Sequence, residues 1–186
     1  MEILADNALM LQVKNGELDK MALLFKRYHR QLFGFLFYMT SEREASEDMV
    51  QNVFYRMLRS RHTFTGSGEF KTWMYHLARN VLKDHFRKNK KNSAHYDVME
   101  FAERIAGGTL ADEAIEKNQE WSILQKALSY LNEENREALV LSRFQDMKYH
   151  EIAAIMNITE GAVKLRIFRA MTQLKNMYSK TLSNEM

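Results

Sequence analysis

The chain has 186 residues, of which 46% are hydrophobic and 27% charged, so it can bury a core and is not disordered as a whole. It contains no cysteine, which excludes disulfides and thiolate metal sites and favours a reducing compartment. Residues 1–10 carry Glu2 and Asp6 but no basic side chain, unlike a signal peptide, and no apolar run reaches bilayer-spanning length. We therefore expect a soluble, cytoplasmic protein without membrane insertion.

Charge is distributed unevenly, although the formal net charge is only +3. Basic residues dominate from Arg79 to Lys91 and again from Glu160 to Lys180, while acidic residues dominate from Asp97 to Glu120. Two basic blocks on either side of an acidic one suit two nucleic-acid-binding units whose linker avoids the same phosphates.

Helical periodicity runs through most of the chain, which has no proline. Apolar residues three or four apart predict helices over three stretches: Leu18–Met39, Ala45–Leu58 and Phe70–Phe86. Ser41 with Glu44 predicts a capping box at the start of the second of these helices. Gly66 and Gly68 mark a loop before the third.

The periodicity fades after Lys91 and returns at Trp121, which predicts an intervening linker with room for a short helix. Asn132 can then cap a helix over Glu133–Phe144. The sequence thus predicts an all-α chain of two small helical domains, the second a helix-turn-helix domain, divided into residues 1–92, a linker at 93–118, and residues 119–186.

The segment Tyr149–Ile167 has the spacing of a helix-turn-helix. Asn157 stands at the turn, where a positive φ is needed, and Thr159 can cap the second helix. With its apolar residues packed inward, that helix would present three cations: Lys164, Arg166 and Arg169. Such a helix fits the major groove, with Arg166 near base edges and Arg169 near phosphate. The alternative is a helical hairpin with a solvated basic face.

Three motifs in the first half each have an ordinary structural explanation when taken alone. They are Asp48–Phe54, Phe70–Met74 and Ala78–Lys88. The first can be plain surface, the aromatic pair of the second can be core, and the basic end of the third can be a solvated helix terminus.

The order and spacing of these motifs, followed by Glu151–Ala153 and Gly161–Arg166, resemble the extracytoplasmic-function (ECF) sigma factors of bacterial RNA polymerase. The resemblance extends from about Leu18 to Leu174. It implies a protein that binds core RNA polymerase and directs promoter-specific initiation, with promoter DNA and an anti-sigma factor as further partners. It implies no catalytic residue, no cofactor and no metal.

The resemblance also implies roles by matching position. Four residues fall where the family docks on polymerase: Asp48, Gln51, Asn52 and Phe54. Eight fall where it opens and reads the minus-ten element: Phe70, Trp73, Arg79, Asn80, Lys83, Asp84, Arg87 and Lys88. Six fall where it reads the minus-thirty-five element: Thr159, Glu160, Gly161, Lys164, Arg166 and Arg169. The chain departs from the family pattern at Leu165, where a small polar residue is usual, so base preference there stays open.

Two other functions remain as alternatives. A stand-alone helix-turn-helix regulator would bind operators directly but would leave the first-half motifs unexplained. A helical metalloenzyme could draw on His76, His85 and His150, but His150-Glu151 has no second histidine at Ala154 to complete a zinc motif.

Overall fold

The computed structural model describes residues 5–92 and 112–184, and within these ranges the regular secondary structure is helical, with no strand. The α-helices are α1 (Asp6–Lys14), α2 (Met21–Thr40), α3 (Arg43–Arg59), α4 (Phe70–Asn92), α5 (Asp112–Ser129), α6 (Glu133–Arg143), α7 (Tyr149–Met156) and α8 (Glu160–Asn184). The all-α prediction is confirmed. Residues 93–111 of the predicted linker lie outside the described residues, whereas residues 112–118 belong to α5.

The junction between α2 and α3 differs from the predicted capping box. Ser41 has a left-handed φ of 62° and ends α2, so it cannot also open α3. The helix α3 begins at Arg43 after Glu42, whose side chain makes no capping hydrogen bond. Instead, the hydroxyl of Thr40 accepts a hydrogen bond from the Glu42 amide at 3.3 Å. The capping-box prediction is wrong because the end of one helix and the start of the next compete for the same residue.

Helix α1, which the apolar pattern did not predict, fixes the loop that precedes α4. The side chain of Asn7 accepts a hydrogen bond from the Phe70 amide at 2.7 Å and donates to the Gly68 carbonyl at 2.9 Å. Lys14 donates to the Phe64 carbonyl at 2.7 Å. Asn7 thus serves as a helix cap for α4 from a distant part of the chain.

The second half is capped by local residues, as predicted. Asn132 accepts a hydrogen bond from the Asn135 amide at 2.8 Å, and Thr159 accepts one from the Ala162 amide at 3.2 Å. Asn157 ends α7 with φ 55°, a conformation that asparagine tolerates better than most residues. The Glu151 carboxylate accepts from the Lys148 amide at 2.7 Å at the start of α7. Asn157 and Thr159 thus form the turn between α7 and α8.

The N-terminal half (residues 5–92) and the C-terminal half (residues 112–184) share one hydrophobic core. Helix α2 contacts α6, and α4 contacts α7, so buried side chains of both halves form a single cluster. Among the helices that the structure describes, none is long and apolar enough to cross a membrane.

Candidate nucleic-acid interface

The most exposed part of the helix-turn-helix is the outward face of α8. Val163, Ile167 and Ala170 pack that helix onto the core, which turns the side chains of Leu165 and Phe168 into solvent. These two are 46% and 68% exposed. Lys164 and Arg169, also exposed, flank them. The result is a cationic face with an apolar centre, next to the N-terminal turn formed by Thr159, Glu160 and Gly161, all exposed.

Arg166 lies elsewhere than the sequence predicted. Its guanidinium makes an ion pair with the Glu134 carboxylate of α6 at 2.7 Å and is mostly covered. Because Arg166 follows Leu165 by one residue, it lies about 100° further round the helix and faces α6. The assignment of Arg166 to base edges is therefore corrected: in this structure Leu165 holds the outward position.

Helix α4 carries an exposed polar strip beyond its buried start. Asn80, Lys83, Arg87 and Lys88 are exposed, and the first three are three or four residues apart, on one side of the helix. Asp84 lies beside them and is bound by Arg56 at 2.8 Å and Arg87 at 3.0 Å. The Arg56 hydrogen bond and the nearby cations hold the pKa of Asp84 below its ordinary value. At neutral pH this face therefore offers net positive charge.

The aromatic pair at the start of α4 faces inward. Phe70 is only 1% exposed and lies among Tyr28, Phe64 and Trp73, with ring centroids 5.4 to 6.4 Å away. Its assignment as a DNA-contacting residue is corrected, because the ring fills the core under the loop. Trp73 is packed against Phe64, at 5.3 Å between ring centroids, and remains partly exposed.

Arg79, predicted to contact the minus-ten element, is held by the C-terminal half. Its guanidinium makes a two-point contact with the Glu137 carboxylate of α6, at 2.5 and 3.2 Å, and donates to the Ile155 carbonyl of α7 at 2.8 Å. The two side chains are only 16% and 8% exposed. Burial raises the pKa of Glu137, and the Arg79 charge opposes that rise.

Further polar contacts join the halves around this pair. Arg136 donates to the Met39 carbonyl at 2.8 Å, and the Tyr75 hydroxyl lies 3.3 Å from the Gln145 side-chain oxygen. We call these contacts, together with Arg79 and Glu137, the inter-half interface. Sequence reasoning missed it. The available signal was Glu137 itself, an acidic residue one turn before Val140 and Leu141, on the apolar side of α6.

The predicted polymerase-docking motif on α3 divides into surface and core. Asp48, Gln51 and Asn52 are exposed on one side of the helix. Phe54 is buried against Phe25, with ring centroids 4.9 Å apart, so its assignment to the docking surface is corrected. The exposed aromatic is Tyr55, at 61%. Its position seven residues after Asp48 and four after Gln51 was the signal that could have identified it.

The histidines considered for a metal site are not brought together. Over the described ranges, no group of three His, Cys, Asp or Glu side chains is placed to hold a metal ion. His85 instead lies 3.4 Å from the Glu42 carboxylate. Burial, with a smaller effect of Arg79, lowers the pKa of His76.

The helical fold and the exposed basic face of α8 define a DNA-binding protein of the helix-turn-helix class. Comparison with known families is specific: Sigma-70 region 2 matches residues 24–92, and Sigma-70 region 4 matches residues 121–174. The ECF RNA polymerase sigma-E factor of Haemophilus influenzae is 31% identical over 182 residues, which cover 94% of this chain and 96% of that protein. The ECF sigma factor SigM of Bacillus subtilis is 30% identical, covering 87% of this chain and 97% of the relative.

The chain belongs to the ECF RNA polymerase sigma factors. It is a promoter-directing subunit that binds core RNA polymerase, and its family consists of DNA-binding initiation factors without catalysis of their own. Solved structures show the same fold. CnrH, in complex with the cytosolic domain of CnrY, matches with TM-score 0.74 and 20% identity, covering 95% of this chain and 99% of CnrH. RpoE of Bartonella quintana, in complex with the anti-sigma factor NepR, matches with TM-score 0.63 and 21% identity, covering 85% and 96%.

Proposed function

We propose that this sigma factor divides its work among three surfaces. The outward face of α8 reads the minus-thirty-five element, the exposed strip of α4 contacts the melted minus-ten element, and the exposed side of α3 docks on core polymerase. The observation that carries the proposal is the cationic face of α8 beyond the Asn157 turn. The protein acts in the cytoplasm, where polymerase and DNA meet, and works by binding without catalysing a reaction.

The two DNA tasks need different chemistry. Duplex DNA at the minus-thirty-five element offers base edges in the major groove, which a helix with cationic flanks can approach. Melted DNA at the minus-ten element offers phosphates and unstacked bases. Lys83, Arg87 and Lys88 suit the phosphates, and the exposed part of Trp73 suits a base.

Transcription by reconstituted polymerase tests this function directly. Full-length protein is combined with core polymerase on a promoter library, and transcripts are mapped by sequencing. We expect initiation from a defined promoter class only when the protein is present. If the protein instead binds specific duplex DNA without polymerase and never redirects initiation, the stand-alone regulator is the better description.

Phosphate contact by Arg169 can be separated from sequence reading. Replacing Arg169 with alanine removes one cation from the outward face of α8, so the salt dependence of holoenzyme binding should fall by about 0.9 in log–log slope. The loss of affinity should be similar on preferred and scrambled minus-thirty-five sequences. Lys126→Ala, on α5 away from this face, is the matched control. A loss confined to the preferred sequence would make Arg169 a base reader instead.

Polymerase docking is tested on α3. Gln51→Ala and Tyr55→Ala should each weaken the affinity for core polymerase while leaving the circular dichroism spectrum unchanged, because both side chains are exposed. Arg43→Gln, exposed at the start of the same helix and farther round it than the docking residues, should bind normally. Equal affinity for all three variants would remove α3 from the docking surface.

The inter-half interface prevents Arg79 of α4 from contacting DNA until the two halves separate. While Arg79 is bound to Glu137 and the Ile155 carbonyl, it cannot contact DNA. We therefore assign the described arrangement to the protein off DNA and infer that the halves separate before Arg79 meets the minus-ten element. This places the proposed role of Arg79 in the open promoter complex.

The proposal has two further parts. An anti-sigma factor is proposed because RpoE, a protein of the same fold, was solved with one bound. A cellular protein that binds the full chain and prevents its binding to core polymerase would support this. The division into two domains joined by a linker is tested by limited proteolysis, with the first cut expected between residues 93 and 111, since residues 112–118 belong to α5.

A further inference from the structure

We propose that Leu165 makes α8 select a thymine in the minus-thirty-five element by contact with its C5-methyl group. The inference rests on the proposed placement of α8 in the major groove. It concerns a position where the family resemblance leads one to expect a small polar residue, and it assigns that position a base preference.

Leu165 lies on the outward face of α8, beside Lys164 and Arg166 and one turn before Phe168. Its two neighbours are drawn to opposite sides: Arg166 binds Glu134 at 2.7 Å, and the Lys164 ammonium lies 6.0 Å from the centre of the Tyr149 ring. Leu165 remains 46% exposed between them. A duplex approached by this face therefore meets the isobutyl group of Leu165 together with the Phe168 ring and the cations around them.

The chemistry of Leu165 allows only one kind of base discrimination. Its side chain has no donor or acceptor, so it cannot read the polar pattern of the major groove. Thymine is the base that presents an apolar group there, its C5-methyl. Burying that methyl against an exposed leucine removes apolar surface of both from water.

The partner is duplex DNA because of the charges around Leu165. Lys164 and Arg169 stand on the same exposed part of α8, which favours a polyanion. An exposed apolar patch without such cations would fit a protein partner as well. Phe168, 68% exposed and one turn beyond Leu165, extends the apolar centre toward the next base pair.

The test uses bases that differ by one methyl. A preferred minus-thirty-five sequence is first selected from a randomised library with holoenzyme containing the full chain. Each thymine is then replaced in turn by deoxyuridine, which lacks the methyl group, and binding of the holoenzyme is measured. We expect about a fourfold loss at one thymine, the effect of one buried methyl-sized group.

If the proposal is correct, the loss of binding to deoxyuridine-containing DNA depends on the Leu165 side chain. Holoenzyme with Leu165→Ala or Leu165→Ser should bind thymine and deoxyuridine equally at that position, and both variants should fold because the side chain is exposed. Met171→Ala removes an exposed apolar side chain from another side of α8 and should keep the discrimination. A protein-partner patch would leave deoxyuridine discrimination unchanged in all variants.

Two results would overturn the proposal, and they are distinguishable. If a preferred sequence is selected but the deoxyuridine losses are the same with and without Leu165, the methyl contact is wrong while the proposed function stands. If selection yields no preferred minus-thirty-five sequence, α8 does not read DNA, and both the proposed function and the Leu165 assignment fail.

Discussion

On α8 the cations proposed to meet DNA stand in solvent, whereas on α4 the candidate Arg79 is held against Glu137 and the Ile155 carbonyl. The proposed DNA-binding face of the C-terminal half is therefore open as it stands. In the N-terminal half, the proposed DNA-binding residues from Asn80 onward are exposed, whereas Arg79 is bound by the C-terminal half.

The difference shows that a binding motif in a sequence does not by itself locate a surface. Arg79 and Lys83 belong to one motif and one helix, yet one is buried between halves and the other is exposed. Being four residues apart, they lie on the same side of α4, one turn from each other, and what separates them is the presence of Glu137 and the Ile155 carbonyl opposite Arg79.

The largest effect is expected from breaking the buried pair. Glu137→Ala leaves Arg79 without its counter-ion, which costs about 3–5 kcal/mol for a buried ion pair. We expect the halves to separate. Since the chain has no cysteine, spin labels on Ala22→Cys and Thr172→Cys report the distance between halves without background labelling.

The matched control is an exposed pair. Arg43 and Glu47 lie 3.2 Å apart on α3 with both side chains largely in solvent, so Arg43→Ala should cost less than about 1 kcal/mol and leave the label distance unchanged. An unaltered distance in the Glu137 variant, with unfolding like that of the Arg43 variant, would show that the buried pair does not hold the halves together.

An intermediate loss of stability is expected at Arg136, which lies on α6 and makes hydrogen bonds to both halves. Its guanidinium donates to the Met39 carbonyl at 2.8 Å and to the Ser129 and Leu131 carbonyls at 3.0 Å. Arg136→Met keeps the length of the side chain but removes the donors, and should lower the free energy of unfolding by about 2 kcal/mol. Urea unfolding measures this. A change of only a few tenths would mean that water replaces the guanidinium at all three carbonyls.

The smallest effects compare a local cap with a distant one. Asn132→Ala and Asn7→Ala each remove one side-chain acceptor from a helix N-terminus, and each should cost about 1 kcal/mol. Only Asn7→Ala should also speed amide hydrogen exchange in the loop before α4, since Asn7 holds Gly68 as well as Phe70. Equal exchange in the two variants would place the anchoring of that loop elsewhere.

The predictable parts of the fold are those decided within four residues. The caps at Asn132 and Thr159 and the positive φ at Asn157 follow from local geometry, and the structure has all three. The predicted capping box at Ser41 also failed for a local reason, because Ser41 ends α2 in a left-handed conformation.

The parts that escaped prediction depend on contacts between distant residues. Arg79 and Glu137 are 58 positions apart, and Asn7 and Phe70 are 63 positions apart. No periodicity encodes such a pairing. The burial of Phe54 and Phe70 was harder to predict, because each belongs both to an apolar stripe and to a motif of the family. Only the packing shows that both rings lie in the core.

Because the chain is synthesised from its N-terminus, the Asn7–Phe70 and Arg79–Glu137 contacts become possible at different stages of translation. Asn7 leaves the ribosome before Phe70, so the cap of α4 is already available when that helix forms. Glu137 is made after Arg79, so a growing chain passes through a stage in which the N-terminal half is complete and Arg79 has no counter-ion from α6. The nascent protein thus exposes the Arg79 side of α4 before α6 and α7 exist, and translation of these two helices is the event that first covers it.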